Sequence, residues 1–152
     1  MSNDKEITGF LKKVPLLSRL STGHLRAIAK SCTERSFVAG DTILRQGNPG
    51  VGLFIITSGK VKVQKENDDG TVFEIATHTA GEVVGEMSVL DGAARSASVI
   101  ALEDTATLVL PSWAFNAFLQ SHPEVALEIL PIVVHRFRET NNALIHMQSS
   151  QR

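Results

Sequence analysis

One cysteine, Cys32, stands among 152 residues, so no intrachain disulfide can form, and the chain suits a reducing compartment. Cys32 itself reads as a small, half-buried apolar residue. There is no surplus of positive charge: 15 Lys and Arg face 16 Asp and Glu, a net charge of −1. No basic cluster offsets that balance, which argues against a chain built mainly to hold a polyanion. The start, MSNDKEITGFLKK, lacks the apolar core of a secretory signal. No long hydrophobic run exists either. The most apolar stretch, Val125 to Phe137, is interrupted by Glu128, Pro131, His135 and Arg136 and is too short to span a bilayer. A soluble, cytoplasmic protein with no membrane association is expected. The five histidines show no H-x-H or H-E-x-x-H spacing, so no metal site is expected, and no local motif suggests a catalytic Ser–His–Asp or Cys–His set.

What is present divides into three textures. Residues 1–34 read as short helices: Leu16, Leu17 and Leu20 are followed by Leu25, Ile28 and Ala29 at helical spacing, with Ser21 or Thr22 as N-cap and Pro15 separating two segments. Residues 35–110 carry short runs rich in Val, Ile, Phe and Thr, punctuated by Gly40, Gly47, Gly59, Gly70 and Gly81. That spacing is the turn rhythm of an all-β sandwich or barrel. Eight strands are predicted (SFVAG, DTILRQ, LFIITSG, KVKVQKE, VFEIATH, EVVG, SASVIAL and ATLVLP), enough for a double-sheet jelly roll, with NDDG as a hairpin turn. KVKVQKE alternates with Val61 and Val63 on one face and Lys60, Lys62 and Gln64 on the other.

From 111 to 150 the helical period returns. WAFNAFLQS forms a short helix whose Trp113, Phe115 and Phe118 are expected to pack on the β domain. A second helix starts at Pro123 and carries Pro131 inside it, where a kink or break is predicted. Beyond it Val134, Phe137, Asn141, Leu144 and Gln148 make a partly apolar seam with a register-fixing polar residue, which predicts a homodimer through this helix. The whole, 1–152, reads as one domain.

The segment GEMSVLDGAARSAS, 85–98, combines two opposite charges with small and apolar residues. Gly85 lets the backbone approach a ligand, and EMSVL allows about one helical turn whose first N–H groups suit an anion. Arg95 offers a planar fork for two phosphate oxygens, and Ser96 a hydroxyl, with the N–H of Ser96 or Ala97 as a further donor. Glu86 cannot help an anion; it suits a sugar hydroxyl, as acidic residues do for ribose in dinucleotide sites. An anion site beside a hydroxyl acceptor points to a sugar phosphate. The competing reading of Arg95 is a structural ion pair with Asp91 or Glu86.

These residues resemble the phosphate-binding cassette of cyclic nucleotide-binding domains. GDTILRQGNPGVGLFIITSGKVKV is similar to another segment of that family, and R-S-A with the late R-F-R-E-T resembles its bacterial catabolite-activator branch. The likeness covers nearly the whole chain. It implies a jelly roll with flanking helices, the last serving as lid and dimer helix. It implies a non-enzymatic sensor whose ligand is cyclic AMP, signalling by rearrangement of the C-terminal helix to an effector or output domain not identified by the sequence. Carried over, Arg95 pairs with the cyclic phosphate and Glu86 accepts from the ribose 2′-hydroxyl. Gly85, Met87, Ser96 and Ala97 complete the cassette, and Val63 and Ile75 line the base pocket. Thr140 bonds the adenine amino group, while Asn141 stands where the branch has a serine reaching the partner subunit's ligand. Phe54 replaces a frequent tyrosine. No helix-turn-helix follows near residue 150, so direct DNA reading is not implied. Three alternatives remain: a cyclic GMP sensor, a dimerising jelly roll that has lost its ligand, and a cupin-like enzyme. Ser96 and Thr140 favour adenine, intact Glu86 and Arg95 disfavour the second, and the lack of ligand histidines disfavours the third.

Overall fold

The computed structural model describes residues 4–50, 52–86, 88–92 and 95–150. Helix α1 (Asp4–Lys12), a 3₁₀ turn (Pro15–Leu17) and α2 (Thr22–Ala29) precede eight strands. Pro15 opens the 3₁₀ turn, where its missing N–H is not needed, and the Ser21 hydroxyl caps α2 by accepting the His24 N–H at 3.2 Å. The strands are β1 (Thr33–Phe37), β2 (Thr42–Leu44), β3 (Gly52–Ser58), β4 (Lys60–Glu66), β5 (Val72–Thr79), β6 (Val83–Val84), β7 (Ser98–Ala101) and β8 (Thr105–Pro111). Helix α3 (Ser88–Asp91) lies between β6 and β7, and α4 (Ser112–Ser121) and α5 (Glu124–Ser150) close the chain.

All pairings are antiparallel, in two four-stranded sheets ordered β1-β8-β3-β6 and β2-β7-β4-β5. This is the predicted eight-stranded jelly roll. Strand β3 explains why LFII is apolar without alternation, since both its faces are covered. Leu53 and Ile55 join Leu108, Leu110, Leu25, Ile28, Phe115, Val125 and Ile129 in a core between sheet and helices. Phe54 and Ile56 point the other way, into the sandwich with Phe37, Val61, Val84 and Val99. Phe54 is therefore fully within an apolar core, where a phenolic hydroxyl has no work to do. Burial pushes the Cys32 thiol up to about 12, so it stays protonated and unreactive at neutral pH.

Three expectations change. Strand β1 begins at Thr33 rather than after Arg35, because Thr33 and Glu34 pair with Val109 and Leu108 of β8 although their own side chains are exposed and carry no apolar signal. Trp113 does not pack on the β domain; it is 74% exposed. Two residues along a helix is a rotation of about 200°, so seating Phe115 in the core turns Trp113 outward. Pro131 does not break α5, which runs as one helix from Glu124 to Ser150. The bond lost there would have used the Leu127 carbonyl, and both residues lie on the exposed side, where solvent can take its place.

The turns between strands need their glycines to different degrees. Gly59 (φ +100°) is pressed against β8: a Cβ there would lie 2.5 Å from Thr105 Oγ1 and 2.6 Å from the Asp104 carbonyl. Gly70 (φ +87°) faces open space. Gly70→Ala is expected to cost about 1 kcal/mol from backbone strain alone, and Gly59→Ala at least ~3 kcal/mol because overlap adds to strain. Urea unfolding of the two variants checks the difference; equal losses would contradict it.

Candidate functional site

Strand β6 ends at Val84, and the positive φ of Gly85 (+76°) turns the chain out of the sheet. Glu86 follows, and its carbonyl accepts from the Val89 N–H at 3.3 Å. Val89, almost wholly buried, anchors the single turn of α3 in the helix-side core. Gly92 (φ +65°) ends that turn, its N–H donating to the Ser88 carbonyl at 2.8 Å. Arg95 is then fixed at its backbone: its N–H donates to the Asn48 carbonyl (2.8 Å) and its carbonyl accepts from the Gly47 N–H (2.9 Å).

The Arg95 side chain is only 6% exposed. One terminal nitrogen donates to the Gly85 carbonyl at 3.1 Å and the other to the Gly52 carbonyl at 2.5 Å, while Nε is buried with no partner. Loss of water on burial lowers the guanidinium pKa from its usual value, yet an arginine starts so high that it stays charged. A Cβ on Gly85 would run into this guanidinium, so the glycine is needed for space as well as for φ. Glu86 is also buried, at 9% exposure. Its Oε1 pairs with Arg136 of α5, and Oε2 is buried without a partner. The structural pair of Arg95 with Asp91 or Glu86 does not form: Arg95 bonds carbonyls, and the carboxylate turns to another helix.

These groups border a cavity of about 280 Å³, whose wall includes Val63, Gly85, Glu86, Arg95, Ser96 and Ala97. Two of the residues bordering this space, Arg95 and Glu86, each carry one buried polar atom without a partner, of opposite type. Ile75 does not line it. It sits where the β4–β5 register shifts, between Val63↔Ala76 and Gln64↔Glu74, and is 57% exposed on the edge strand. Thr140 and Asn141 are exposed on α5 away from the cavity wall, the Thr140 hydroxyl donating to the Arg136 carbonyl at 3.0 Å. Met87 lies outside the described residues, as do Ala93 and Ala94.

Two residues at the site were not singled out from sequence. Arg136 is one; the available signal was its i, i+4 relation to Thr140, which puts both on one face of α5. The other is His78, which lines the same cavity; it stands at the position on β5 opposite Val61 and so shares a face with Val63. Among the described residues no group of three or more His, Cys, Asp or Glu gathers as a metal ion would need, and no helix is long and apolar enough to cross a membrane.

Arg136 is partly exposed, so its pairing with Glu86 is worth less than a buried pair and more than a surface one. Arg136→Gln is expected to lower stability by about 1–2 kcal/mol, with a coupling to Glu86→Gln of about 1 kcal/mol. A double-mutant cycle in urea measures it, and strict additivity would mean the pair does not hold α5.

Residues 34–122 match the model of a family described as "Cyclic nucleotide-binding domain". The chain is 32% identical over 131 residues to the cyclic AMP receptor protein of Thermus thermophilus, covering 86% of this chain and 61% of that protein. It is also 32% identical over 114 residues to the lysophospholipase NTE1 of Phaeosphaeria nodorum, covering 75% of this chain but only 8% of that protein. Among solved structures, the N-terminal domain of a transcriptional regulator from Streptomyces coelicolor superposes with a TM-score of 0.78 at 33% identity, covering 88% of this chain and 96% of that one.

Proposed function

The chain belongs to the cyclic nucleotide-binding domain family, and we propose that it is a receptor for cyclic AMP that senses rather than catalyses. The observation that carries this reading is the pair of buried, partnerless atoms on one cavity, Arg95 Nε and Glu86 Oε2. A buried polar group without a partner costs roughly 1–3 kcal/mol, and a cyclic nucleotide removes both penalties at once. Its phosphate accepts from Arg95, assisted by the Ser96 hydroxyl and the Ser96 and Ala97 N–H groups. Its ribose 2′-hydroxyl donates to Glu86, with Gly85 and Met87 forming the cassette backbone. Val63 and Ile75 take the base, Ile75 by movement of the β5 edge. Thr140 of α5 meets the adenine amino group and Asn141 reaches across to a second copy.

Signalling follows from Glu86 having two claimants. Arg136 ties α5 to the carboxylate that the ribose also requires, so a ligand that binds one α5 position better than another shifts the helix by that difference, commonly ~1–3 kcal/mol. The homodimer reading is supported by Val134, Phe137 and Leu144, all exposed on the α5 seam. The effector that reads α5 is not identified by these residues, and a cytoplasmic setting agrees with a cyclic nucleotide ligand. Cyclic GMP is the runner-up; Ser96 and Thr140 favour the adenine ligand.

Titration calorimetry with both nucleotides tests the receptor reading: micromolar or tighter binding of cyclic AMP is expected, weaker binding of cyclic GMP, and no binding by Arg95→Ala, whose fold is checked by circular dichroism. No heat from either nucleotide at high micromolar concentration would sink the reading. For the dimer, sedimentation of the wild type should give twice the chain mass and Phe137→Glu the chain mass alone; a monomeric wild type at tens of micromolar would refute it.

A further inference from the structure

The cavity wall holds a third titratable side chain besides Glu86 and Arg95. His78 lies on β5 directly across from Val61, two positions from the Val63–Ala76 pair and so on the same face, and borders the same space as Glu86 and Arg95. Its ring is held rather than free to swing: Nδ1 is 2.8 Å from Glu82 Oε2, and the other Glu82 oxygen accepts from the Thr79 N–H at 3.0 Å. Glu82 is fixed in turn by backbone bonds, its N–H donating to the Thr79 carbonyl and its own carbonyl accepting from the Ile56 N–H of β3 at 2.9 Å. A neutral imidazole beside a carboxylate gives Nδ1–H to it, and the pair then carries one negative charge. Protonation of the ring brings the pair to zero.

We propose that His78 is a further binding residue of the ligand cavity, an imidazole that strengthens the hold on a nucleotide's single negative charge when it is protonated. The inference rests on the receptor reading above. A cavity of about 280 Å³ keeps an anion bound to Arg95 within ~10 Å of the imidazole, closer than or comparable to the screening length of physiological salt. The charges around His78 are few. Glu82 is in contact with it, and its carboxyl is held below the usual carboxylate range, chiefly by the His78 hydrogen bond and then by the Thr79 N–H. It therefore stays charged wherever imidazoles titrate. Across the cavity stand Arg95 and Glu86, the latter paired with Arg136 of α5. Strand β4 presents Val61 and Val63 to the His78 face; Lys60 and Lys62 alternate to the other. Strand β3 contributes Ile56 and no charge.

The sign follows from linkage. If the bound anion favours the protonated ring, binding takes up protons, and affinity rises as pH falls through the imidazole range. The cyclic phosphodiester is a monoanion throughout, so its own charge does not change. Cyclic AMP should bind wild type about three- to tenfold more tightly at pH 5.5 than at pH 8. Calorimetry in two buffers of different ionisation enthalpy near pH 6.5 should show net proton uptake. His78→Gln keeps a donor for Glu82 but cannot charge; it should bind with a flat pH profile and no uptake, and subtracting it removes the contribution of every other titrating group. Should that variant fail to fold, the His78 ring resonance of wild type gives the same answer, its titration midpoint moving up on saturation with cyclic AMP. Intact binding with a flat wild-type profile, an unmoved midpoint, or a wild-type slope in His78→Gln would each overturn the role of His78 while leaving the receptor reading standing. No binding of cyclic AMP by wild type at any pH would overturn both.

Discussion

A guanidinium almost out of contact with water is the constraint around which the cassette is arranged. Taking such a charge from water is costly unless its N–H groups are met, and Arg95 meets two carbonyls from separate parts of the fold, Gly85 after β6 and Gly52 at the start of β3. Both acceptors are glycines for a steric reason. A Cβ at Gly85 would collide with the guanidinium, and one at Gly52 would lie 2.7 Å from the Leu110 carbonyl of β8. The tight approach of β3 to β8, the turn after β6 and the placement of Arg95 are thus one requirement expressed at three places. What remains unmet is Nε, in a residue that borders the cavity. The fold supplies most of the partners of a buried cation, and on the proposed function the rest come from the ligand.

The second charge connects this arrangement to the helices. Through Val125 and Ile129 the first turns of α5 belong to the core, but beyond Val133 no described side chain of the helix is buried. Its later turns therefore gain little from packing within the chain. The Glu86–Arg136 pair becomes important there because it joins a buried carboxylate of the cassette to a helix whose position the core does not dictate. On the proposed function, an element weakly fixed by packing and tied by one shared charge is what the ligand shifts, since only a difference in interaction between two positions needs to be supplied.

How far the sequence could be read follows the same division. Elements whose side chains sort by burial were legible: the β3 run, the alternation of β4, the glycine-punctuated turns and the Ser21 cap. So were Glu86 and Arg95, since two charges in a small-residue segment need a reason wherever it folds. Features set by partners distant in sequence were not. Thr33 and Glu34 are strand only because β8 lies beside them. Trp113 faces outward because Phe115, two residues on, takes the core position. Arg136 is one of several charges on a helical surface until α5 is seen against the cassette. His78 reads as one of five scattered histidines until β5 is set in register with β4. Ile75 shows the reverse limit: it lies an odd number of residues from His78 and Ala76, so alternation along β5 puts this apolar side chain on the outer face.

The charge arithmetic of the cavity narrows what it accepts. Glu86 is matched by Arg136, which leaves Arg95 as a buried cation bonded to neutral carbonyls alone. One negative charge balances it. A ligand with two, such as an open nucleoside monophosphate at neutral pH, would bring a second charge that no further cation among the described lining residues balances. The Glu82–His78 pair repels that second charge while the ring is neutral. On the proposed function the site therefore selects for the cyclic diester by charge as well as by shape: closing the phosphate ring removes the one charge for which these residues hold no partner.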